Sequence, residues 1–133
     1  MRLAPNFTLQ EFTRSSAAAE IGVHNDPTAT ALQNLHYLAL WLQSLRDILC
    51  EPIIITSGYR TERVNSHVGG SPTSDHMSGL AADIRVSGAE PDMIAEIIQS
   101  IPHLMFDQLI IYPEHLHVGL GSRRRGQVSR AGR

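Results

Sequence analysis

The sequence predicts an α+β fold with a small, mostly antiparallel sheet and flanking helices. Helix-type patterns occupy residues 27–49 and 91–101, whereas strand-type runs come in between and after them. Strands and helices do not alternate as a parallel sheet would require, and the last two strand-type runs stand close enough to form a hairpin. The length of 133 residues suits one domain.

Helix-start signals mark the first half of the chain. Thr8 and Glu11 have the spacing of a capping box, which predicts a short helix over residues 9–13. Asp26 and Pro27 suit the N-cap and the first position of a second, longer helix. Apolar residues of that helix recur at spacings of three and four, which predicts one buried face: Ala31, Leu35, Leu38, Leu42, Leu45 and Leu49.

The second half of the chain predicts the sheet and the loop beside it. Runs of β-branched residues or alternating apolar residues predict four strands, over 52–56, 81–86, 106–112 and 116–120. Residues 67–79 hold three glycines, one proline and four serine or threonine residues, which predicts a loop. Residues 91–101 have the pattern of an amphipathic helix that packs on the sheet.

Charge divides the chain into two parts. Residues 1–121 carry six arginines against thirteen acidic residues, a balance of -7, and residues 122–133 carry the other five arginines and no acidic residue. We therefore expect one folded domain over 1–121 and a flexible basic tail over 122–133. The acidic body argues against nucleic acid as a ligand. No apolar run approaches the roughly 20 residues that cross a bilayer, so we expect no membrane span.

Residues that carry chemistry concentrate around the predicted strands. His76 lies in the glycine-rich loop, Asp83 lies on the strand after it, and His115 and His117 share one face of the last strand. Imidazole and carboxylate groups bind zinc at about 2.0–2.2 Å, and three protein ligands leave a position for water. Glu114 adjoins this group as a carboxylate that could transfer a proton.

Two further residues suit supporting roles. Arg60 follows the first predicted strand, and a guanidinium there could hold a developing oxyanion or a substrate carboxylate. Asp107 precedes the closing hairpin and is a candidate to orient a ligand histidine. These residue types together indicate metal-assisted hydrolysis.

The ten residues from Ser74 to Asp83 read S-D-H-M-S-G-L-A-A-D and match the signature S-x-H-x-x-G-x-A-x-D of the zinc D-Ala-D-Ala peptidases, peptidase family M15. Other segments resemble elements of that family in the same order: S-G-Y-R at 57–60, V-G-G at 68–70 and H-L-H-V at 115–118. Residues 7–27 are similar to the compact branch common in bacteriophages and prophages. The resemblance covers about residues 5–120.

The resemblance implies a site with one zinc ion per chain. Its ligands would be His76, Asp83 and His117. Arg60 would bind the carbonyl or carboxylate of the substrate, and Ser74 would contact the substrate or support a ligand.

The resemblance also implies roles for the residues just before the last ligand. Glu114 stands three residues before His117, where some dipeptidases of the family have the general base, and would take a proton from water and return it to the leaving amine. His115 is similar to a histidine that assists near the metal in other members. Arg60, Glu114 and His115 are thus the predicted catalytic residues. The compact branch often has Glu at the position of Tyr112 and Trp at that of His115, so the chain departs from it there.

The implied protein is a hydrolase: a zinc metallopeptidase of the hedgehog-like fold that cleaves the stem peptides of bacterial peptidoglycan. Both carboxypeptidase and endopeptidase action, on D,D or L,D bonds, fit the resemblance. A non-catalytic zinc-containing binding or structural domain of the same fold is the alternative. We expect a monomer whose partner is the cell wall.

The first ten residues lack the basic-then-apolar pattern of a secretory signal. We therefore expect synthesis in the cytoplasm and access to the wall after release. A phage lysis enzyme (an endolysin) and a component of the virion both meet that requirement, and either would take part in cell wall degradation.

Overall fold

The structure is a computed structural model that describes residues 1–131. It has the predicted α+β architecture, with helices flanking a five-stranded sheet. The helices are α1 Leu9–Thr13, α2 Ser16–Ile21, α3 Ala29–Leu49, α4 Glu62–His67 and α5 Pro91–Gln99, with a 3₁₀ helix at Asp75–Ser78. The strands are β1 Arg2–Ala4, β2 Phe7–Thr8, β3 Ile53–Ser57, β4 Ala81–Val86, β5 Gln108–Ile111, β6 Leu116–Gly119 and β7 Gln127–Arg130. None of the described helices has both the length and the apolar composition to cross a membrane.

The start of the chain forms a small hairpin, β1–β2, followed directly by α1. The predicted short helix is confirmed, and the backbone N–H of Thr8 donates to the Glu11 carboxylate at 2.9 Å. Phe7 and Phe12 are both buried, with ring centroids 6.1 Å apart. This packing fixes the chain start against the core.

Helix α3 supplies much of the core. Its predicted apolar face is buried, and Leu49 packs at the edge of the cluster. The N-cap is Thr28 rather than Asp26, because the Thr28 hydroxyl accepts a hydrogen bond from the backbone N–H of Ala31 at 3.1 Å. The proline therefore lies just before the cap and not in the first turn.

The main sheet has the strand order β3-β4-β6-β5-β7. The first four strands pair antiparallel, as expected. Ala82, Ile84 and Val118 are buried on the face that packs into the hydrophobic core. Asp83 and His117 alternate with these residues, so they project from the opposite face. That face carries the candidate site.

The C-terminal segment differs from the expected flexible tail. Strand β7 pairs in parallel with β5, although all four of its residues are exposed. Its main chain satisfies the edge of β5, and the backbone N–H of Gln127 donates to the carbonyl of Asp107 at 3.0 Å. Pairing of this kind needs no apolar pattern, so composition alone could not predict it. Residues 132 and 133 of the predicted tail lie outside the described residues.

Candidate metal centre

His76 is held in place by two hydrogen bonds, one from its main chain and one from its ring. Its N–H donates to the Ser74 hydroxyl at 3.2 Å, which caps the 3₁₀ helix. Its ring is almost fully buried, and Nδ1 lies 2.7 Å from the carbonyl oxygen of Gly58. Since a carbonyl only accepts, Nδ1 carries a proton, and Nε2 is the ring nitrogen that can bind a metal when the imidazole is neutral.

Asp83 and His117 meet across the centre of the sheet. The β4–β6 register places them directly opposite each other, and opposite residues share a face. His117 Nδ1 lies 2.9 Å from Asp83 Oδ1, and His76 Nε2 lies 3.4 Å from the same oxygen. The rings of His76 and His117 are tilted, with centroids 5.1 Å apart.

The three donor atoms fit a single metal ion. They all lie within 4.8 Å of one another. A tetrahedral ion with ligands at about 2.0–2.2 Å leaves neighbouring ligand atoms roughly 3.3–3.6 Å apart. The distance from His76 Nε2 to Asp83 Oδ1, 3.4 Å, lies in that range, and the 2.9 Å from His117 Nδ1 to the same oxygen is shorter. The structure thus brings together the three predicted ligands His76, Asp83 and His117, and this group could hold a metal ion.

The Asp83 carboxylate is charged in this environment. Burial alone would raise its pKa, but hydrogen bonds and charge interactions with His117 and His76 outweigh burial and hold the pKa well below its usual 3.8. A carboxylate must be ionised to bind a metal, so the surroundings prepare Asp83 for that role.

Arg60 lies on the β3 side of the three ligands. Its Nη2 is 3.8 Å from Asp83 Oδ2 and donates to the Ser57 hydroxyl at 3.3 Å, while Nη1 donates to Asn65 Oδ1 at 3.3 Å. The side chain is 18% exposed. Burial lowers the pKa of the guanidinium and the charge of Asp83 opposes that shift. Arginine remains charged in proteins, so Arg60 offers a fixed cation beside the ligand group.

His115 lies close to the ligand group without joining it. Its Nε2 is 3.9 Å from Asp83 Oδ2, whereas His117 approaches Oδ1. The His115 ring stacks on Tyr112 with centroids 4.4 Å apart and planes at 16°. His115 thus lies beside the predicted ligands, and the assisting role that the resemblance implies for it stays a prediction.

Glu114 is the predicted site residue that the structure does not bring to this group. The backbone N–H of Tyr112 donates to the carbonyl of His115, which closes a hairpin turn with Pro113 and Glu114 at its tip. Glu114 is exposed and lines a groove with Leu116, a residue of the core face of β6. The turn is tight, and Glu114 lies at its tip rather than beside His117.

Two supporting contacts were not predicted from the sequence. Asn65 is buried, accepts from Arg60 and donates to the carbonyl of Ser71 at 2.9 Å. The Gly58 carbonyl orients His76. A single asparagine in a short helix and a main-chain oxygen carry no pattern, although S-G-Y-R marked the segment around Gly58. Asp107, a candidate to orient a ligand histidine, binds Arg125 instead.

The chain is similar to known proteins over most of its length. A model of the peptidase M15 family matches residues 5–119. The chain is 32% identical over 126 residues to the zinc D-Ala-D-Ala carboxypeptidase of Streptomyces albus G, a match that covers 90% of this chain and 47% of the relative. The chain thus spans about half the length of this curated relative.

Proposed function

The chain belongs to the peptidase M15 family, and from that premise we propose that it is a zinc-dependent peptidase that cleaves the stem peptides of peptidoglycan. The observation that carries the proposal is the ligand group of His76, Asp83 and His117, with an arginine on one side of it. Zinc is the proposed metal because two imidazoles and a carboxylate suit it and because the relative is a zinc enzyme.

A zinc ion in this group would supply Lewis acidity, which activates water and polarises the scissile carbonyl. The side chains of the protein hold the reactants around it. Arg60 points its guanidinium towards Asp83 from the β3 side, where it can bind the substrate carbonyl or a carboxylate. His115 lies near Asp83 Oδ2, whereas the two ligand histidines lie near Oδ1. From there its imidazole can donate a hydrogen bond to the reacting amide.

Digestion of purified peptidoglycan tests the proposal. Zinc-loaded protein, protein stripped with a chelator and His117→Ala are compared, and the products are identified by mass spectrometry. We expect new stem-peptide ends with zinc-loaded wild type alone. The masses show whether a terminal residue or an internal bond is cleaved. A zinc-loaded wild type that releases nothing would overturn the proposal and favour a non-catalytic binding domain.

We also propose the setting in which such an enzyme works. The similarity of residues 7–27 to the compact phage and prophage branch supports a phage lysis enzyme or a virion component that is made in the cytoplasm. Expression in a bacterial host with and without a membrane-permeabilising protein tests the first of these. Lysis only when both proteins are present is expected, and lysis without the permeabilising protein would contradict the proposed route.

We propose that the protein works as a monomer. Analytical ultracentrifugation at micromolar concentration should give a species near 14.7 kDa. A dimer that persists on dilution would contradict this.

A further inference from the structure

A row of side chains crosses the sheet through the metal centre. The strand registers place Ser57, Asp83, His117 and Ile110 opposite one another, on β3, β4, β6 and β5. Residues in such a row share one face of the sheet. Arg60 contacts Ser57, so one end of the row, on the β3 side, is already occupied by a cation.

A polar groove continues the row beyond the metal centre on the β5 side. It has a volume of about 360 Å³, and His117 and Ile110 belong to its lining. The hydroxyl-bearing segment from Ser71 to Ser74 and the side chains of Asp75 and Arg123 complete much of the rest. A substrate held at the metal therefore has a second polar surface to contact, opposite Arg60.

The arginine side of this groove is anchored by a buried ion pair. Asp107 is only 1% exposed. Arg125 donates to Asp107 Oδ1 from its backbone N–H and from Nε, both at 2.9 Å, and to Oδ2 from Nη2 at 3.1 Å. This fork of hydrogen bonds fixes the chain after β6 in one position. The segment that carries Arg123 is consequently part of the folded structure.

Arg123 keeps most of its hydrogen-bonding capacity for a ligand. Within residues 1–131, its nearest acidic atom is Asp107 Oδ2 at 4.0 Å, and that carboxylate is already bonded to Arg125. The Arg123 side chain is 70% exposed. Asp75 also lines the groove; burial and the charge of Asp107 raise its pKa, and the charges of His117, Arg123 and His76 oppose that shift. A ligand bound in this groove can therefore pair with the Arg123 guanidinium while Asp107 stays bonded to Arg125.

We propose that Arg123 binds a carboxylate of the substrate peptide on the β5 side of the metal centre. The proposal rests on the proposed function, because it takes the stem peptide as the substrate. From β3 to β5 is three strand spacings, roughly 14 Å, which an extended peptide of about four residues spans. The two arginines would thus fix both flanks of a short peptide, and Arg123 would select peptides with an acidic group on its flank.

A matched pair of stem peptides tests this role. The peptides differ in one group, a free carboxylate or the corresponding carboxamide, at each acidic position in turn. Wild type, Arg123→Gln and the control Arg124→Gln are compared, since Arg124 loses the same charge without lining the groove. Zinc content is measured on each preparation. Binding of each peptide to the zinc-loaded proteins is measured by calorimetry alongside cleavage.

We expect Arg123→Gln to raise KM and the dissociation constant roughly tenfold for one carboxylate peptide, with kcat unchanged and no effect on its carboxamide. The position at which the carboxylate matters identifies which acidic group of the stem is read. Equal losses for both peptides, or the same loss in Arg124→Gln, would overturn the proposal. If wild type binds the carboxylate peptide but cleaves nothing, the proposed function fails while the binding data still decide the role of Arg123. Failure of wild type to distinguish any pair by binding would overturn it as well.

Discussion

The two oxygens of Asp83 face different partners. Oδ1 lies towards His76 and His117, and Oδ2 lies towards Arg60 and His115. One carboxylate therefore connects the metal ligands to the groups that would contact substrate. We therefore expect substitutions of His115 and His117 to have different effects, because His115 approaches Oδ2 and His117 approaches Oδ1.

Metal content is the first test of this division. We expect about one zinc per chain in wild type and in His115→Ala. The His76→Ala, His117→Ala double variant should hold none, because it keeps one of three ligands. Elemental analysis of protein purified without chelator measures this. Stoichiometric zinc in the double variant would show that other residues bind the metal.

Turnover separates His115 from Glu114. Glu114 is exposed in a hairpin turn, so we expect Glu114→Gln to keep the rate of stem-peptide cleavage within about tenfold of wild type. His115→Ala removes a donor beside Asp83 and should lose about 10² in kcat with zinc retained. Both are measured on zinc-loaded protein. A loss of 10²–10⁴ in Glu114→Gln would mean that the turn rearranges around substrate and that Glu114 is the base, as the family resemblance implies.

The site residues that could be predicted from the sequence are those whose spacing along the chain determines which side chains share a face. Two histidines with one residue between them must share a strand face, and Asp83 on the neighbouring strand could be paired with them through the family signature. Glu114 shows where this reasoning ends. Its orientation depends on whether the turn at Pro113 bends inward, and the residue types alone do not decide that.

At the level of elements, Gly58 joins α1, β3 and the metal centre. A Cβ at Gly58 would lie 2.5 Å from the carbonyl oxygen of Phe12, which already accepts a hydrogen bond from Tyr59 at 2.7 Å. The carbonyl of Gly58 in turn orients His76. Only a residue without a side chain allows the turn after β3 to approach α1 this closely.

We therefore expect Gly58→Ala to lower the free energy of unfolding by about 1–3 kcal/mol, as overpacking does, and to weaken zinc binding by moving the His76 acceptor. Urea unfolding and zinc titration measure the two effects. Gly88→Ala is the control, because Gly88 lies in the left-handed region, with φ of 79°, and has open space around it. The control should lose stability and keep its zinc affinity. Unchanged zinc affinity in Gly58→Ala would contradict the link.

Elements with local signals could be predicted closely, and the others could not. Strand β4 and helix α1 have the predicted bounds, because alternation and a capping box are written in adjacent residues. Strand β7 could not be predicted. It has no apolar face. It forms because β5 offers a free edge and because Asp107 binds Arg125, and these partners are separated from the strand by more than a local stretch of sequence, 18 residues in the case of Asp107 and Arg125.

The ion pair between Asp107 and Arg125 contributes to the stability of the whole molecule, and the pH dependence of unfolding tests that contribution. Hydrogen bonds from Arg125 hold the pKa of Asp107 below its usual 3.8. A lowered carboxyl pKa adds stability that is present above about pH 4 and is lost as the pH falls below it. Urea unfolding should therefore show Asp107→Asn less stable than wild type at pH 7, with the gap narrowing below pH 4. Repulsion between the carboxylates of Asp107 and Asp75 makes this difference in stability smaller, but the difference should still narrow as the pH falls. A gap that does not change with pH would contradict this.

Removal of residues 123–133 tests whether the C-terminal segment is part of the enzyme or an appendage. Composition predicts that a flexible basic arm can be lost without harm. In the structure, truncation leaves the buried Asp107 carboxylate without Arg125 and uncovers the edge of β5. We therefore expect Tm to fall by several degrees, and the preference for a carboxylate peptide to disappear, while the three ligands still bind zinc. Arg130→Gln is the control, since its ion pair with Asp92 is more than half exposed on both sides and should contribute little. A truncated protein with the Tm and peptide preference of wild type would show instead that the arginines serve only as an external arm.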